Sequence, residues 1–202
     1  ITLPDMAESK DNVKKVVLIS NDQLEGWKRC HSSEPEKATE IPLLSFLEEE
    51  NVTTNYREEL GIDKNTIVYG MHQRPNDGIF SSMLIDAYSQ LQDEDTALVI
   101  LGGSDLYRKQ AEEVGAKNVH FLETSADPNV IHSFLNTLDV YTHARHDGET
   151  QGCVLVEAMF HGLPIITHVA PAMGHKDTMG SAGIMSQNLE EYVDNMRLFL
   201  DS

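Results

Sequence analysis

Positive charge is what this sequence has least of. Fifteen Lys and Arg residues stand against 33 Asp and Glu, for a formal net charge of −18. A broad nucleic-acid or anionic-membrane surface is excluded, because such surfaces hold polyanions through clustered cations. Any anionic ligand must be met by local donors acting against the field of the whole molecule. Long hydrophobic runs are missing too. No stretch of roughly 18 uninterrupted apolar residues occurs, so no transmembrane segment is expected. The richest region, Val154 to Gly174, is broken by Glu157, His161, His168 and two prolines. Cysteine is scarce: Cys30 and Cys153 lie far apart and form no metal or redox motif. Two free thiols in a reducing, cytoplasmic setting is the plainer reading, with one disulfide as the alternative.

Other signals are absent. The chain opens at Ile1 without a methionine or signal peptide, so a fragment or processed product whose partner domain lies elsewhere is expected. There is no internal repeat and no low-complexity segment. Leu101-Gly102-Gly103-Ser104 lacks the full Gly-x-Gly-x-x-Gly pattern and follows the second strand of the regular region. A nicotinamide-dependent dehydrogenase is therefore disfavoured. Nine histidines include His143 and His146, three apart, and His161, His168 and His175 at intervals of seven. None forms a His-Glu-x-x-His or comparable ligand set, so no metal site is expected.

What is present is ordinary for a globular protein: 40% hydrophobic and 24% charged residues over 202 positions, enough to bury a sizeable core. Residues 1–52 read as a lead-in, with a short strand at 16–20 and a helix from about Asp22 to Arg29. A crossover or linker with room for an edge strand around Ile41-Pro-Leu-Leu-Ser-Phe-Leu follows, ending in three glutamates at 48–50. Residues 53–202 read as the main domain. Apolar runs suited to buried strands occur at Thr66–Tyr69, Ala97–Leu101, Val119–Leu122, Val140–Thr142, Pro164–Thr167 and, more weakly, Gly183–Met185. Helical stripes fall between them: Ile79, Met83, Leu84, Ala87, Tyr88 and Leu91; then Val130, Ile131, Phe134 and Leu135 behind an Asp127-Pro128 start; then Leu189, Tyr192, Val193, Met196 and Phe199 behind Asn188. Strands without polar alternation, alternating with amphipathic helices, imply a sheet covered on both faces. The expected class is α/β: a doubly wound, mainly parallel, six-stranded Rossmann-like sheet that binds ligands beyond the carboxyl ends of its strands.

The most informative stretch runs from Asp139 to Thr167. A strand ends near His143, a polar loop follows, and a helix begins near Gln151 and stops at Gly162, in the usual place for a left-handed terminal glycine. Glu149 then sits just ahead of the helix N-terminus and Glu157 in its second turn. The amides at Gly152, Cys153 and Val154 form a cradle for phosphate, helped by the helix dipole. Gly152 has no side chain to block a ligand. Two carboxylates flanking an anion seat suit a diphosphate carried between two polyol rings. Arg145 and His146 add positive charge to the loop or belong to its solvated face.

This stretch resembles the glutamate–seven residues–glutamate signature of retaining GT-B glycosyltransferases. Gly148-Glu149-Thr150-Gln151-Gly152 looks like the family's Gly-Glu-x-x-Gly loop. Val156-Glu157-Ala158-Met159 followed by Gly162-Leu163-Pro164 looks like its Glu-Ala-Met-x-x-Gly-x-Pro helix and exit. The similarity extends from about Arg57 to the C-terminus. It implies that Glu149 contacts donor-sugar hydroxyls, that Glu157 holds the ribose, and that amides around Gly152, Cys153, Val154 and Leu155 hold the diphosphate. Gly148, Thr150 and Gln151 would complete the donor-binding loop. Arg74 would neutralise the leaving group, while Asp77 stands where the family usually has a lysine. Leu122 and Thr124 would lie near the base. The implied activity is transfer from a nucleoside-diphosphate sugar without a metal or other cofactor, with acceptor groups supplied by an N-terminal domain. The alternatives are a non-catalytic nucleotide-sugar-binding module and a GT-B-type epimerase.

Overall fold

A computed structural model describes residues 14–42 and 52–200. The apolar runs form six parallel strands: β3 Ile67–Gln73, β4 Thr96–Gly102, β5 Val119–Leu122, β6 Val140–Thr142, β8 Ile165–His168 and β10 Gly183–Ser186. Their order across the sheet is β10-β8-β6-β3-β4-β5. The chain thus steps outward from β3 through β4 to β5, then returns to the other side of β3 and steps outward again. The reversal lies between β3 and β6. Connections leaving those two strands diverge there and open a crevice at their carboxyl ends.

Alternation along each strand explains why both faces are covered. In β4, Ala97, Val99 and Leu101 enter one core while Leu98 and Ile100 enter the other. Those side chains are all almost wholly buried. One face is packed by α2 (Met83–Leu91), α3 (Asp105–Glu113) and α7 (Leu189–Arg197). The other is packed by α4 (Pro128–Leu135) and α5 (Cys153–Phe160).

Helix starts follow local chemistry. The Asp127 carboxylate accepts from the Asn129 amide with Pro128 in the first turn, and the Asn188 side chain accepts from the Glu191 amide. Both are the expected caps. Ile79, assigned by spacing to the stripe of α2, instead closes a separate 3₁₀ turn, Asp77–Ile79. Gly162 adopts φ +69° at the exit of α5, as expected.

Several elements differ from the sequence expectation or go beyond it. Helix α5 begins at Cys153 rather than Gln151, with Gly152 as its cap. Helix α6 (Gly174–Met179) and the strands β7 (Gly148–Glu149) and β9 (Ala172–Met173) carry too few residues for a periodic signal. The two strands pair in parallel beside the crevice. In the lead-in, β1 (Val16–Leu18) and β2 (Ala38–Glu40) form their own parallel pair around α1 (Asn21–Cys30), with Trp27 in a small core against Val16 and Leu18. The edge strand suggested around 41–47 and the triple glutamate fall largely or wholly outside the described residues. The lead-in touches the main sheet's helices through α1. The Asp22 amide donates to Asp177 Oδ2 at 3.2 Å, and the Met173 amide donates to Asp22 Oδ2 at 3.4 Å.

Candidate functional site

Two adjoining cavities occupy the carboxyl end of the sheet. One, of about 470 Å³, runs between the end of β3 and the loop after β5, with His72, Arg74, Thr124, Ser125 and Glu157 in its wall. The other, of about 370 Å³, lies under the β7 loop and is walled by Arg145, Glu149, Thr150, Gln151 and Cys153. Gln73, Arg74 and Val154 belong to both. The opening of α5 is therefore the ridge where the two meet. A larger space of about 590 Å³ beside Asp93 and Lys117 sits at the amino ends of β4 and β5. That is the end of the sheet away from the crevice and away from every residue singled out above.

Gly152 caps α5 with φ +88°, a left-handed turn that aims the following amides outward. Cys153 and Val154 open the helix, where the first amides have no intrahelical acceptor, and both residues belong to the cavity walls. Leu155 departs from expectation. Its amide donates to the Gly152 carbonyl at 3.0 Å, its side chain is fully buried in the core, and it lines neither cavity. Gly148 is buried at the start of β7 and shapes the turn instead of lining the crevice. Leu122 packs against the second core, whereas Thr124, two residues on, does face the cavity. Arg74 is exposed and lines both cavities, while Asp77 lies in the 3₁₀ turn outside their walls.

Both glutamates point inward, and each is held by a partner that sequence reasoning did not assign. Arg145 Nη1 donates to Glu149 Oε1 at 2.8 Å, while its Nε and Nη2 hold Asp147 in a two-pronged contact at 3.0 and 2.9 Å. The Arg145 amide is fixed in turn by donating to His168 Nε2. His143 Nε2 lies 3.6 Å from the same Glu149 oxygen. Burial alone pushes the Glu149 carboxyl up, but His143 and Arg145 outweigh it and hold its pKa below the ordinary value. Glu157 Oε2 meets His72 Nε2 at 2.7 Å. The apolar run was expected to end at Tyr69, so His72 carried no advance signal; the structure carries β3 on to Gln73. Among the described residues no group of three or more His, Cys, Asp or Glu side chains converges to hold a metal ion.

The sequence pattern of the family described as Glycosyl transferases group 1 matches residues 52–202, three-quarters of the chain. The chain belongs to the group 1 glycosyl transferases. The six-stranded domain is the Rossmann-like domain of the GT-B architecture, and solved structures share it. WaaG, a glycosyltransferase involved in lipopolysaccharide biosynthesis, superimposes with a TM-score of 0.76 at 21% identity, over 96% of this chain and 55% of its own. HepE of Anabaena in complex with UDP-glucose gives 0.77 at 19% identity, over 100% and 59%. Sucrose-phosphate synthase from Thermosynechococcus elongatus gives 0.77 at 17%, over 99% and 52%. At such identities the likeness speaks for the fold, and this chain spans little more than half the length of those proteins. A search of curated proteins finds no significant match.

The buried histidines in and around this candidate site predict a stability that depends on pH. Burial pushes the pKa values of His143 and His168, and of His120 and His161 elsewhere, below 6.5. The unfolded chain therefore takes up protons more readily than the folded one. Stability is complete above the unfolded value and is lost as pH falls through the depressed folded values. Calorimetry from about pH 7 down to about pH 5 should show a falling Tm with net proton uptake on unfolding. A flat Tm over that interval would contradict the neutral, buried histidines. Glu149 adds a further loss only below its ordinary value of 4.5, for the same reason of sign.

Proposed function

We propose that this domain binds the donor of a retaining glycosyl transfer, a nucleoside-diphosphate sugar. One observation carries the reading: the start of α5 divides two connected cavities, with Glu149 in the wall of one and Glu157 in the wall of the other. A diphosphate seated on the Cys153 and Val154 amides would direct its sugar toward Glu149 and its ribose toward Glu157. Arg74, reaching both cavities, would counter the charge that develops on the leaving diphosphate, alongside the helix dipole. Thr150 and Gln151 would border the sugar, and Thr124 the base. UDP-glucose bound to HepE, which shares this fold, makes a UDP-sugar the first donor to test.

Several features belong to the same proposal. The transfer would need no metal, because protein donors replace the cation. Hexosyl transfer would require acceptor groups from a further N-terminal domain, to which residues 1–52 would connect. Cys30 and Cys153 are both free thiols, which suits a reducing, cytoplasmic setting. A binding-only role is the second reading. It is favoured by Arg145 being shared between two carboxylates and by Asp77 in place of a lysine.

Binding is tested directly by thermal shift with UDP-, GDP-, ADP- and dTDP-sugars. At a hundredfold excess over Kd the right donor should add about 2.7 kcal/mol, a rise in Tm of roughly 5–10 °C for a chain of this size. The rise should survive EDTA. No shift with any of the four would remove the donor reading.

A further inference from the structure

His72 is the one polar side chain of β3 whose contacts tie the sheet directly to a ligand-facing carboxylate. It shares strand parity with Val68 and so faces the α4–α5 side, where its ring meets Phe134 and Tyr141 edge-on, both at 5.6 Å. Both ring nitrogens are engaged. Nε2 lies 2.7 Å from Glu157 Oε2, and Nδ1 lies 3.1 Å from the Tyr141 hydroxyl. A carboxylate only accepts, so Nε2 must carry the hydrogen. The Tyr141 hydroxyl bonds Nδ1 and lies 3.4 Å from the His72 carbonyl, so the ring is held at both nitrogens. The Tyr141 oxygen also receives the His72 amide at 3.4 Å. Tyr141 is wholly buried in the middle of the sheet. The ring therefore has one orientation, and its Nε2 presents a hydrogen to Glu157.

We infer that His72 is a positioning residue for the ribose subsite. Its Nε2–H fixes one oxygen of Glu157 and thereby presents the other, Oε1, to a sugar hydroxyl in the cavity shared with Thr124. This deepens the donor-binding reading and rests on it. A glutamate in the second turn of a helix otherwise has three rotatable bonds and no reason to keep one carboxylate orientation. Anchored to a ring that is anchored to the core, it is organised before the ligand arrives, and the ordering cost is not charged to binding. The consequence is specific to the hydroxyls that Glu157 receives and leaves the diphosphate contacts at α5 untouched.

The test compares a nucleoside diphosphate with its 2′-deoxy counterpart by calorimetric titration of the complete protein. The pair is UDP and 2′-deoxy-UDP, or the GDP or ADP pair if one of those binds more tightly. A hydroxyl on a charged acceptor is worth about tenfold or more in affinity, so the wild type should prefer the ribonucleotide by about that factor. His72→Leu keeps the bulk and loses the hydrogen, and should cut the preference to less than about twofold. His72→Gln, whose amide can replace the Nε2 donor, should restore most of it. If the leucine variant does not fold, His72→Asn takes its place, being too short to reach Glu157. A variant without the donor that keeps the wild-type ratio would overturn the inference while leaving the donor reading intact. A wild type that binds none of the diphosphates would remove the donor reading, and the inference with it.

Discussion

Substituting Glu149→Gln in the complete protein should lower sugar transfer by about 10²–10³ with the fold retained. The carboxylate has two roles that the amide cannot combine. It accepts from Arg145 at 2.8 Å, and in the proposed complex it also accepts donor-sugar hydroxyls. An amide has one accepting oxygen, and its NH₂ would either face the guanidinium or meet the sugar as a donor. Stability should change little, because Arg145 retains its two-pronged contact with Asp147 at 3.0 and 2.9 Å. Product analysis with and without acceptor, beside circular dichroism, reads both effects. Activity within tenfold of wild type would take Glu149 out of the chemistry. Conversion of the donor without any acceptor, abolished by the same substitution, would point to epimerisation instead.

The second large effect is on stability. Gly174 opens α6, and a Cβ added there would overlap the backbone carbonyl of Thr150. Backbone cannot swing aside as a side-chain tip can, so the turn Thr150-Gln151-Gly152 or the whole of α6 must move. The cost should be about 3 kcal/mol, at the upper end for overpacking, lowering Tm by roughly 6–12 °C in a chain of this size. Because that turn leads into the helix cap, donor affinity should fall as well. Gly162→Ala is the informative control: φ is +69° there but nothing lies within 4 Å of the added carbon. Its cost should be only the strain of a left-handed residue, about 1 kcal/mol, with donor affinity unchanged. Equal losses from the two substitutions would show that conformation, and not the close approach at Gly174, is what matters.

The contrast between Gly174 and Gly162 also marks how far sequence reading reached. Gly162 was legible because a helix that ends in glycine before a proline-led strand has a local cause. Gly174 was not, because its constraint is a carbonyl 24 positions earlier in the chain. The same division runs through the site. Glu149, Glu157 and the helix opening follow from spacing along one segment. Arg145 is four residues from Glu149, but a loop arginine has no period and its direction cannot be read from the letters. His72 is 85 residues from Glu157 and lies beyond Tyr69, where the apolar run was expected to end, so nothing local tied it to the site. Leu155 shows the opposite limit: counting helix amides from a motif does not reveal that its amide bonds the Gly152 carbonyl.

By itself the sequence determined that six apolar segments must be buried on both sides, that helices must cover them, and that a helix opening flanked by two acids lies at a strand's carboxyl end. Those are consequences of hydrophobic periodicity and capping, which act over a few residues. Only the tertiary structure decided that the strand order reverses between β3 and β6, which sets His72 opposite Glu157 and divides the crevice at α5. Pairing of distant strands is set by how whole faces pack, and no local run of residues encodes it.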